Sequence, residues 1–255
     1  MKNHKNLEFW DKIAEKGDYQ NRLLRDYMNR QYKCLIQKWL GRIRNKSVLK
    51  TDMYEEAFHD KSVLNIFKNE NCITGMDMSK IIINKVKEKP CFSYIRGLKV
   101  GDRKNRIFKR SEFDIVLSLS TLDHLPKNEI SQALNSIKLE LKKGGTLIIS
   151  LNNSRNIMFY AIHKLDSLFR LKFPSNFYSM REAKEALVKS GFKVISEDYT
   201  IFIPPFFRTF VNLIEKSGSQ KLNKVACLVI NMLEIKNQFF KKLFGYYVIL
   251  HAEKS

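Results

Sequence analysis

The sequence predicts an α/β fold in which helices cover both faces of a doubly wound, mostly parallel sheet. Short apolar segments alternate with amphipathic helical segments along the chain, which is the pattern of parallel strands joined by crossover helices. The clearest strand begins at Phe113, and its apolar run through Ile115, Val116 and Leu117 is typical of a strand covered on both faces. Small polar residues follow up to Leu125. In open parallel sheets ligands bind at this carboxyl edge, so the stretch predicts a binding site.

The composition is that of a globular protein with a strong positive charge. Of the 255 residues, 44% are hydrophobic and 12% aromatic, which separates the chain from disordered proteins. The 46 Lys and Arg residues against 26 Asp and Glu give a formal net charge of +20, enough to attract phosphate-bearing partners such as nucleic acid or anionic lipid. The lysines are spread along the chain, however, so a solvated basic surface explains the same composition.

Cysteine spacing and the amino terminus indicate the compartment. Cys34, Cys72, Cys91 and Cys227 are far apart without a C-x-x-C spacing, which predicts neither a zinc site nor a disulfide framework and fits a reducing cytosol. The first residues run into charged helical sequence without the apolar core of a signal peptide, and no segment reaches the roughly 18 apolar residues of a membrane span. We therefore expect a cytoplasmic protein without a metal centre.

The amino-terminal part of the chain contains a helical segment and two short strands. Apolar residues recur at three- and four-residue steps over residues 7–40, which predicts helix. Residues 47–52 form the first predicted strand and its loop, and the next helix starts at residues 54–58. Residues 71–77 form a second strand that ends on a carboxylate, and a helix follows over residues 79–89.

The central segment completes the first half of the sheet. Pro90 stops the preceding helix, and residues 92–95 are predicted as a third strand, ahead of the strand at Phe113. Residues 129–142 have an apolar face at helical spacing, and residues 142–145 are predicted to cap that helix at its carboxyl end. Residues 146–151 are a wholly apolar fifth strand.

The remainder of the chain adds helices and two more strands. The predicted elements are, in chain order, helices at residues 157–169 and 178–190, a strand at 192–203 ended by Pro204 and Pro205, two helices between 206 and 244, and a last strand at 246–251. The sequence therefore predicts a helical insertion, residues 205–244, before the final strand.

Asp77 stands at the end of the second predicted strand. In doubly wound folds an acidic residue there accepts hydrogen bonds from the ribose hydroxyls of a bound nucleoside. The same residue type also caps the helix that follows, so both roles remain open at this point.

Three motifs carry a resemblance to a known family. Residues 101–114 keep a G-D-x-x-x-x-x-F-x-x-x-x-F-D spacing without a gap, residues 142–147 resemble L-x-x-G-G-x-L before the fifth strand, and residues 10–14 (W-D-K-I-A) resemble an amino-terminal helix. With these motifs the chain resembles the class I S-adenosylmethionine-dependent methyltransferases, in the branch that modifies small molecules and lipids. The resemblance implies a Rossmann-like methyltransferase fold over residues 10–253, with S-adenosylmethionine as cofactor.

The resemblance also implies site residues and a division of the chain. Asp77 would hold the ribose, Asp102 the adenine amino group, Ser118 and Ser120 would line the methionine side, and Met78 and Arg103 would flank the adenine. We expect one methyltransferase domain over residues 1–255. It would comprise an amino-terminal helical segment (1–45), a cofactor-binding half (46–151) and a substrate-side half (152–255).

The loop after the first strand departs from the family pattern. The family usually has an acidic residue and two or three glycines there, because the backbone must turn tightly close to the cofactor. Residues 50–56 (K-T-D-M-Y-E-E) contain no glycine. The loop resembles that of a related subset with a similar L-K-T-D sequence, which implies that Asp52 or Glu55 contacts the amino group of methionine. The alternative is a fold that no longer binds the cofactor.

Methyl transfer from a sulfonium is an in-line displacement, so the protein mainly aligns the acceptor and excludes water. If the acceptor is a hydroxyl, a general base helps, and His124 at the mouth of the fourth strand is the best-placed candidate. Asp123 and Tyr54 are lesser candidates, and Tyr178 is a candidate for positioning the acceptor. A structural role explains each of these residues equally simply.

Three functions fit these observations. The first is methyl transfer to a small-molecule or lipid-like acceptor, with no obligate protein partner. The second is an RNA methyltransferase, which the charge favours, although the fourth strand lacks the Asn-Pro-Pro-Tyr and Pro-Cys sequences of common base-modifying types. The third is a noncatalytic module at an anionic membrane surface.

The late helices connect the first and third functions to the membrane. Residues 157–169 and 206–244 have apolar faces bordered by lysines and arginines, which suits peripheral contact with the inner face of an anionic membrane. Ordinary burial against the sheet explains the same pattern.

Overall fold

The computed structural model describes residues 2–17, 22–157, 175–202, 207–217, 219–232 and 237–255. Its helices are α1 (Lys2–Lys16), α2 (Arg22–Leu40), α3 (Tyr54–Phe58), α4 (Lys80–Lys87), α5 (Ile130–Glu140), α6 (Met180–Lys189), α7 (Phe207–Lys216), α8 (Gln220–Met232) and α9 (Gln238–Phe244). Its strands are β1 (Ser47–Lys50), β2 (Cys72–Asp77), β3 (Ile95–Val100), β4 (Phe113–Leu119), β5 (Leu141–Asn153), β6 (Phe177–Tyr178), β7 (Phe192–Thr200) and β8 (Tyr247–Lys254). Short 3₁₀ turns lie at Val63–Phe67, Pro90–Phe92 and Leu122–His124.

One sheet organises these elements in the order β3-β2-β1-β4-β5-β8-β7, with β6 beside the end of β5. Strands β3, β2, β1, β4 and β5 are parallel, whereas β8 is antiparallel to both β5 and β7. The chain order reverses between β1 and β4, so the loops after these two strands open toward each other at the carboxyl edge. The predicted doubly wound, mostly parallel α/β fold is confirmed.

Helices cover both faces of the sheet, which explains the continuous apolar runs of the central strands. On one face Val48, Ile115 and Ile148 contribute to a core shared with helices α1 to α4. On the other face Leu49 and Val116 contribute to a core shared with α5 and α6. Successive residues of one strand therefore enter different cores, and both must be apolar.

Two predicted boundaries in the central segment are wrong. The third strand begins at Ile95, after a 3₁₀ turn, because it is an edge strand with one half-exposed face and lacks the apolar run that marks the other strands. Helix α5 ends at Glu140 because Leu141 already pairs with Phe113 in the sheet. Residues 142–145 therefore form an irregular start of β5 and do not cap the helix.

The described residues of the outer helical segments form several separate helices. The amino-terminal segment consists of two helices, and the positive φ of Gly17 ends the first of them. Among the described residues between β7 and β8, three helices occur, α7, α8 and α9, where two were predicted. The helix predicted at residues 157–169 falls almost entirely outside the described residues. In the part of the chain that the structure describes, no helix is long and apolar enough to cross a membrane.

Candidate active site at the carboxyl edge of the sheet

The loop after β1 is held against two neighbouring strands. The backbone N–H of Thr51 continues the sheet by donating to the carbonyl of Leu117 on β4, at 3.0 Å. The next residues bend toward β2, where the buried Met53 side chain lies against Gly75. A Cβ atom on Gly75 would come within 2.9 Å of Met53 Cε and 3.0 Å of Leu98 Cδ2. The glycine that permits this close packing therefore stands on β2 and not in the loop.

A buried lysine fixes the same loop. The Lys50 ammonium donates to the backbone carbonyl of Asp52 at 2.8 Å, to Asp52 Oδ1 at 3.2 Å and to Glu56 Oε2 at 2.9 Å. Ser62 donates to the other carboxylate oxygen of Glu56. Burial lowers the pKa of Lys50, but Asp52 and Glu56 outweigh that effect and raise it, so the residue is a cation at physiological pH. No local pattern in the sequence indicates that Lys50 and Glu56 are partners.

Glu55 lies beside this ion pair with its carboxylate near the surface. Its Oε1 is 4.0 Å from Arg25 Nη1 of α2. Burial and the neighbouring charge of Glu56 raise the pKa of Glu55 to about 7. Asp52 and Glu55, the two residues predicted to meet the methionine amino group, are thus both held at the carboxyl end of β1.

Asp77 ends β2 and connects it to the first loop. Its Oδ2 accepts a hydrogen bond from the backbone N–H of Met53, and its Oδ1 accepts one from the backbone N–H of Ser79, both at 2.9 Å. Burial raises the pKa of Asp77 to about 7 despite these donors. Ser79, and not Asp77, caps α4 through a bond from Ile82 N–H. The capping role considered for Asp77 is therefore wrong, whereas the ribose role stays a prediction.

Asp102 and Met78 lie along the same edge. The backbone N–H of Gly101, at the end of β3, donates to the Asp77 carbonyl at 2.9 Å, which brings the loop after β3 next to Asp77. Asp102 accepts a hydrogen bond from the backbone N–H of Lys104 at 3.0 Å and is half-buried, as is Met78. Both residues therefore lie at the carboxyl edge, and their contacts with adenine stay a prediction.

Arg103 occupies a different environment from the one predicted. Its side chain is buried, its Nη2 donates to Glu140 Oε2 at 2.6 Å, and its Nη1 lies 3.1 Å from the sulfur of Met76. Glu140 Oε1 also accepts hydrogen bonds from the backbone N–H groups of Ile107 and Phe108. The guanidinium therefore ties α5 to the loop after β3, and this geometry favours a structural role over stacking on adenine.

The end of β4 carries a group of buried polar side chains. Ser120 adopts a positive φ of 51°, its N–H donates to Ser150 Oγ at 2.9 Å, and its hydroxyl donates to Asp123 Oδ2 at 3.2 Å. Thr121 Oγ1 donates to Asp52 Oδ2 at 3.1 Å, which joins the β4 loop to the β1 loop. Predicted residues Asp52 and Ser120 are thus brought together through Thr121.

Three buried polar atoms in this region lack a hydrogen-bond partner among the described residues: Ser118 Oγ, Asp123 Oδ1 and the Tyr178 hydroxyl. Burial raises the pKa of Asp123 above its usual value. Buried polar groups are rarely left unpaired in native proteins. This arrangement is the one expected of a site that a polar ligand completes.

Helix α1 lies over the carboxyl edge and meets the predicted base. The Trp10 ring packs edge-on against His124, with centroids 4.9 Å apart, and also against Tyr54, at 6.1 Å. His124 Nδ1 is 3.5 Å from Ser175 Oγ. No local sequence pattern indicates that Trp10 packs on His124, because the contact joins the amino-terminal helical segment to the loop after β4.

Comparison with known protein families identifies a domain in the first half of the sheet. The model of the methyltransferase domain family matches residues 44–149, which span β1 to most of β5. Residues 44–149 therefore carry a methyltransferase domain, in line with the predicted resemblance to the class I S-adenosylmethionine-dependent methyltransferases. A comparison of this methyltransferase with curated proteins finds no significant match. The enzyme class and cofactor predicted from the sequence are confirmed, and the hypothesis of a noncatalytic module is not favoured.

Solved structures show the same fold at low sequence identity. The PH0226 protein from Pyrococcus horikoshii superposes with a TM-score of 0.63 and 13% identity, over 97% of this chain and 99% of that chain. Magnesium protoporphyrin IX methyltransferase from Synechocystis, with bound S-adenosylhomocysteine, superposes with a TM-score of 0.60 and 15% identity, over 98% of this chain and 95% of that chain. An S-adenosylmethionine-dependent methyltransferase from Methanosarcina mazei superposes with a TM-score of 0.57 and 13% identity, over 86% of this chain and 96% of that chain.

The residues of this methyltransferase fit the cofactor. Carboxylates stand at the ends of β1, β2 and β3, and their chemistry suits an amino group, ribose hydroxyls and an exocyclic amine. The unpartnered Ser118 hydroxyl adds a buried polar group at the end of β4. In the described part of the chain, no group of three or more His, Cys, Asp or Glu residues is arranged to hold a metal ion.

Proposed function

We propose that this methyltransferase acts on a small-molecule or lipid-like acceptor, with its cofactor bound along the carboxyl ends of β1 to β4. The observation that carries the acceptor class is the cover of α1 over this edge, with Trp10 packed on both Tyr54 and His124. An aromatic cover favours a compact acceptor, whereas a folded RNA needs an open basic surface beside the reacting group.

S-adenosylmethionine supplies the transferred methyl group as a sulfonium. Asp77 would accept hydrogen bonds from the ribose hydroxyls, and Asp102 would accept one from the adenine amino group. Asp52 and Glu55 would bind the ammonium group of the cofactor. Ser118 and Ser120 would line the methionine side, with Met78 beside the adenine. His124 would take the proton from a hydroxyl acceptor, and Trp10 would keep water from the reacting atoms. Asp123 and Tyr178 would contact the acceptor.

Two measurements test this proposal. Calorimetric titration with S-adenosylhomocysteine should give micromolar binding to the wild type. In Asp77→Ala the affinity should fall by roughly tenfold or more, since hydrogen bonds to a charged group contribute about 1.5–3 kcal/mol. An Asp77→Ala variant that folds and binds as tightly as the wild type would disprove the cofactor site.

The acceptor class is tested by following the methyl group. The protein is incubated with methyl-labelled cofactor, a total lipid extract, phenolic compounds and purified RNA in separate reactions. Label that appears in an organic extract supports the proposal. Label that appears in acid-insoluble RNA supports the RNA alternative, which the net charge of +20 motivates.

A second proposal concerns location, because two late helices leave apolar residues in contact with solvent. Helices α7 and α8 pack against each other and against α2. Their outward surface, called here the α7–α8 face, consists of Phe210, Leu213, Leu222, Val225, Leu228 and Val229. Leu213 is 63% exposed and Leu228 is 58% exposed. Such exposed apolar clusters mark interaction surfaces.

The positive charge around this face favours an anionic partner. Exposed Lys216, Lys221 and Lys224 border it, and the α8 sequence contains no acidic residue. An apolar helical face bordered by lysines suits the surface of an anionic bilayer, where the methyltransferase would sit at the inner face of the membrane and meet a lipid-like acceptor.

Vesicle sedimentation tests the membrane proposal without cofactor or acceptor. The wild type should sediment with phosphatidylglycerol vesicles and not with phosphatidylcholine vesicles. Leu213→Ser/Val225→Ser/Leu228→Ser should abolish sedimentation, whereas the matched control Val188→Ser/Ile195→Ser, which removes two exposed apolar residues elsewhere, should not. Equal loss in both variants, or binding of RNA alone, would contradict the membrane contact.

A further inference from the structure

The ammonium of Lys50 lies inside the protein and contacts the loop after β1 from beneath. The lysine side chain is 2% exposed, and Glu56 is fully buried. All three of its bonds, to the Asp52 carbonyl, to Asp52 Oδ1 and to Glu56 Oε2, go to residues of that loop and of the helix that follows it. A long, flexible cation is thus used to hold a turn that contains no glycine.

The three carboxylates around Lys50 differ in exposure. Glu56 is enclosed, with Lys50 on one oxygen and Ser62 on the other. The side chains of Asp52 and Glu55 are 24% and 17% exposed. The lysine therefore compensates the charge of the inner carboxylate, while the two outer carboxylates remain accessible to a cation that arrives from solvent.

We propose that Lys50, paired with Glu56, is a positioning residue for the cofactor's ammonium group. It holds Asp52 through both the backbone carbonyl and the carboxylate, which fixes where that side chain can meet the ammonium. The inference rests on the cofactor contacts assigned above to Asp52 and Glu55.

Electrostatics gives the pair a second effect on the same site. Without the lysine, three carboxylates within five residues would repel one another, and the pKa of Glu55 would rise further. A neutral carboxyl attracts an ammonium group less than a carboxylate does. The Lys50 charge therefore lowers the pKa of Glu55, against the burial that raises it, and favours the ionised form of that carboxyl.

The competing interpretation is that the pair only stabilises the fold. Removing Lys50 alone would leave a buried, uncompensated carboxylate and unfold the region, so it cannot separate the two roles. Replacing both partners by apolar residues of similar volume is often neutral for stability. The informative variant is therefore Lys50→Met/Glu56→Leu.

Two ligands of different length discriminate between the interpretations. S-adenosylhomocysteine carries the amino group, whereas 5′-methylthioadenosine has the same nucleoside and sulfur but no amino-acid part. In Lys50→Met/Glu56→Leu we expect the affinity for S-adenosylhomocysteine to fall about tenfold or more, and the affinity for methylthioadenosine to change less than twofold. A purely structural pair would change both affinities alike or neither.

A matched control and a second variant complete the experiment. Lys241→Met/Asp198→Leu removes another largely buried ion pair, between α9 and β7, and should leave both affinities unchanged. If the first double variant does not fold, Glu56→Gln keeps the shape of the side chain and removes its charge. We expect it to show the same selective loss at a smaller, several-fold size.

The outcomes separate the two proposals. A wild type that binds neither ligand disproves the cofactor site itself. A wild type that binds both, with folded variants that lose both affinities equally or retain both, overturns the role of Lys50. Selective loss of S-adenosylhomocysteine supports it.

Discussion

The carboxylate of Asp77 accepts a hydrogen bond from the backbone N–H of Met53, at 2.9 Å, across the gap between β2 and the first loop. This bond joins the residue predicted to hold the ribose to the loop predicted to hold the methionine end. It also buries Asp77, which is 6% exposed. The same contact therefore has consequences for stability and for cofactor binding.

The stability of the apo protein should decrease as the pH rises toward neutrality. Burial raises the pKa of Asp77 to about 7, so in the window from about pH 4 to 7 the folded protein keeps a proton that the unfolded chain releases. The unfolded state is then favoured as the pH rises, and the effect is complete above the folded pKa. Burial also raises the pKa of Glu55 to about 7, so this residue lowers the stability in the same pH window.

Urea denaturation at pH 5 and pH 7.5 measures this effect. Over that interval we expect the free energy of unfolding to fall by at least about 1 kcal/mol more in the wild type than in Asp77→Asn, since one pKa unit corresponds to about 1.4 kcal/mol. The asparagine keeps an acceptor for Met53 N–H but cannot titrate. Identical pH dependence in the two proteins would show that Asp77 is already ionised at pH 5.

Gly75→Ala should destabilise the protein through Met53. The new Cβ would lie within 2.9 Å of Met53 Cε, and the buried Met53 has little room to move. We expect a loss of about 1–3 kcal/mol in the free energy of unfolding. In a Met53→Ala background the same substitution should cost less, and a double-mutant cycle on urea unfolding measures the coupling. Additive effects would contradict the packing described here.

Glu140→Leu should destabilise the protein strongly because it leaves the buried Arg103 guanidinium without its carboxylate. Breaking one side of a buried pair costs about 3–5 kcal/mol. Arg103→Met/Glu140→Leu should recover part of that loss. The remainder reflects the hydrogen bonds that Glu140 accepts from the backbone N–H groups of Ile107 and Phe108. Thermal melting of the three proteins gives the comparison. A double variant no more stable than the single one would show that the unpaired Arg103 guanidinium is not the source of the loss.

His124→Ala should lower turnover without changing cofactor affinity. A general base contributes about 10²–10⁴-fold, so a loss of at least about 100-fold in kcat is expected once an acceptor hydroxyl is known. The dissociation constant for S-adenosylhomocysteine serves as the internal control, because the proposal assigns His124, which contacts Trp10 and Ser175, to the acceptor and not to the cofactor. Full activity of the variant would leave His124 with a packing role.

The sequence by itself determined the order of helices and strands and the edge at which the polar residues gather. These features depend on local signals: the apolar runs of β1, β4 and β5, and the carboxylate of Asp77 at the end of the second strand. The edge strand β3 was misplaced because half-exposed strands lack such a run.

Tertiary structure decided which residues meet. Lys50 is an ordinary lysine in the sequence, and only the packing of α3 beside β1 encloses it with Glu56. Gly75 and Met53 come together because β2 pairs with β1. Arg103 meets Glu140 through the position of α5. Each of these contacts joins residues on different elements, so it depends on the register and packing of the whole sheet, which no local pattern encodes.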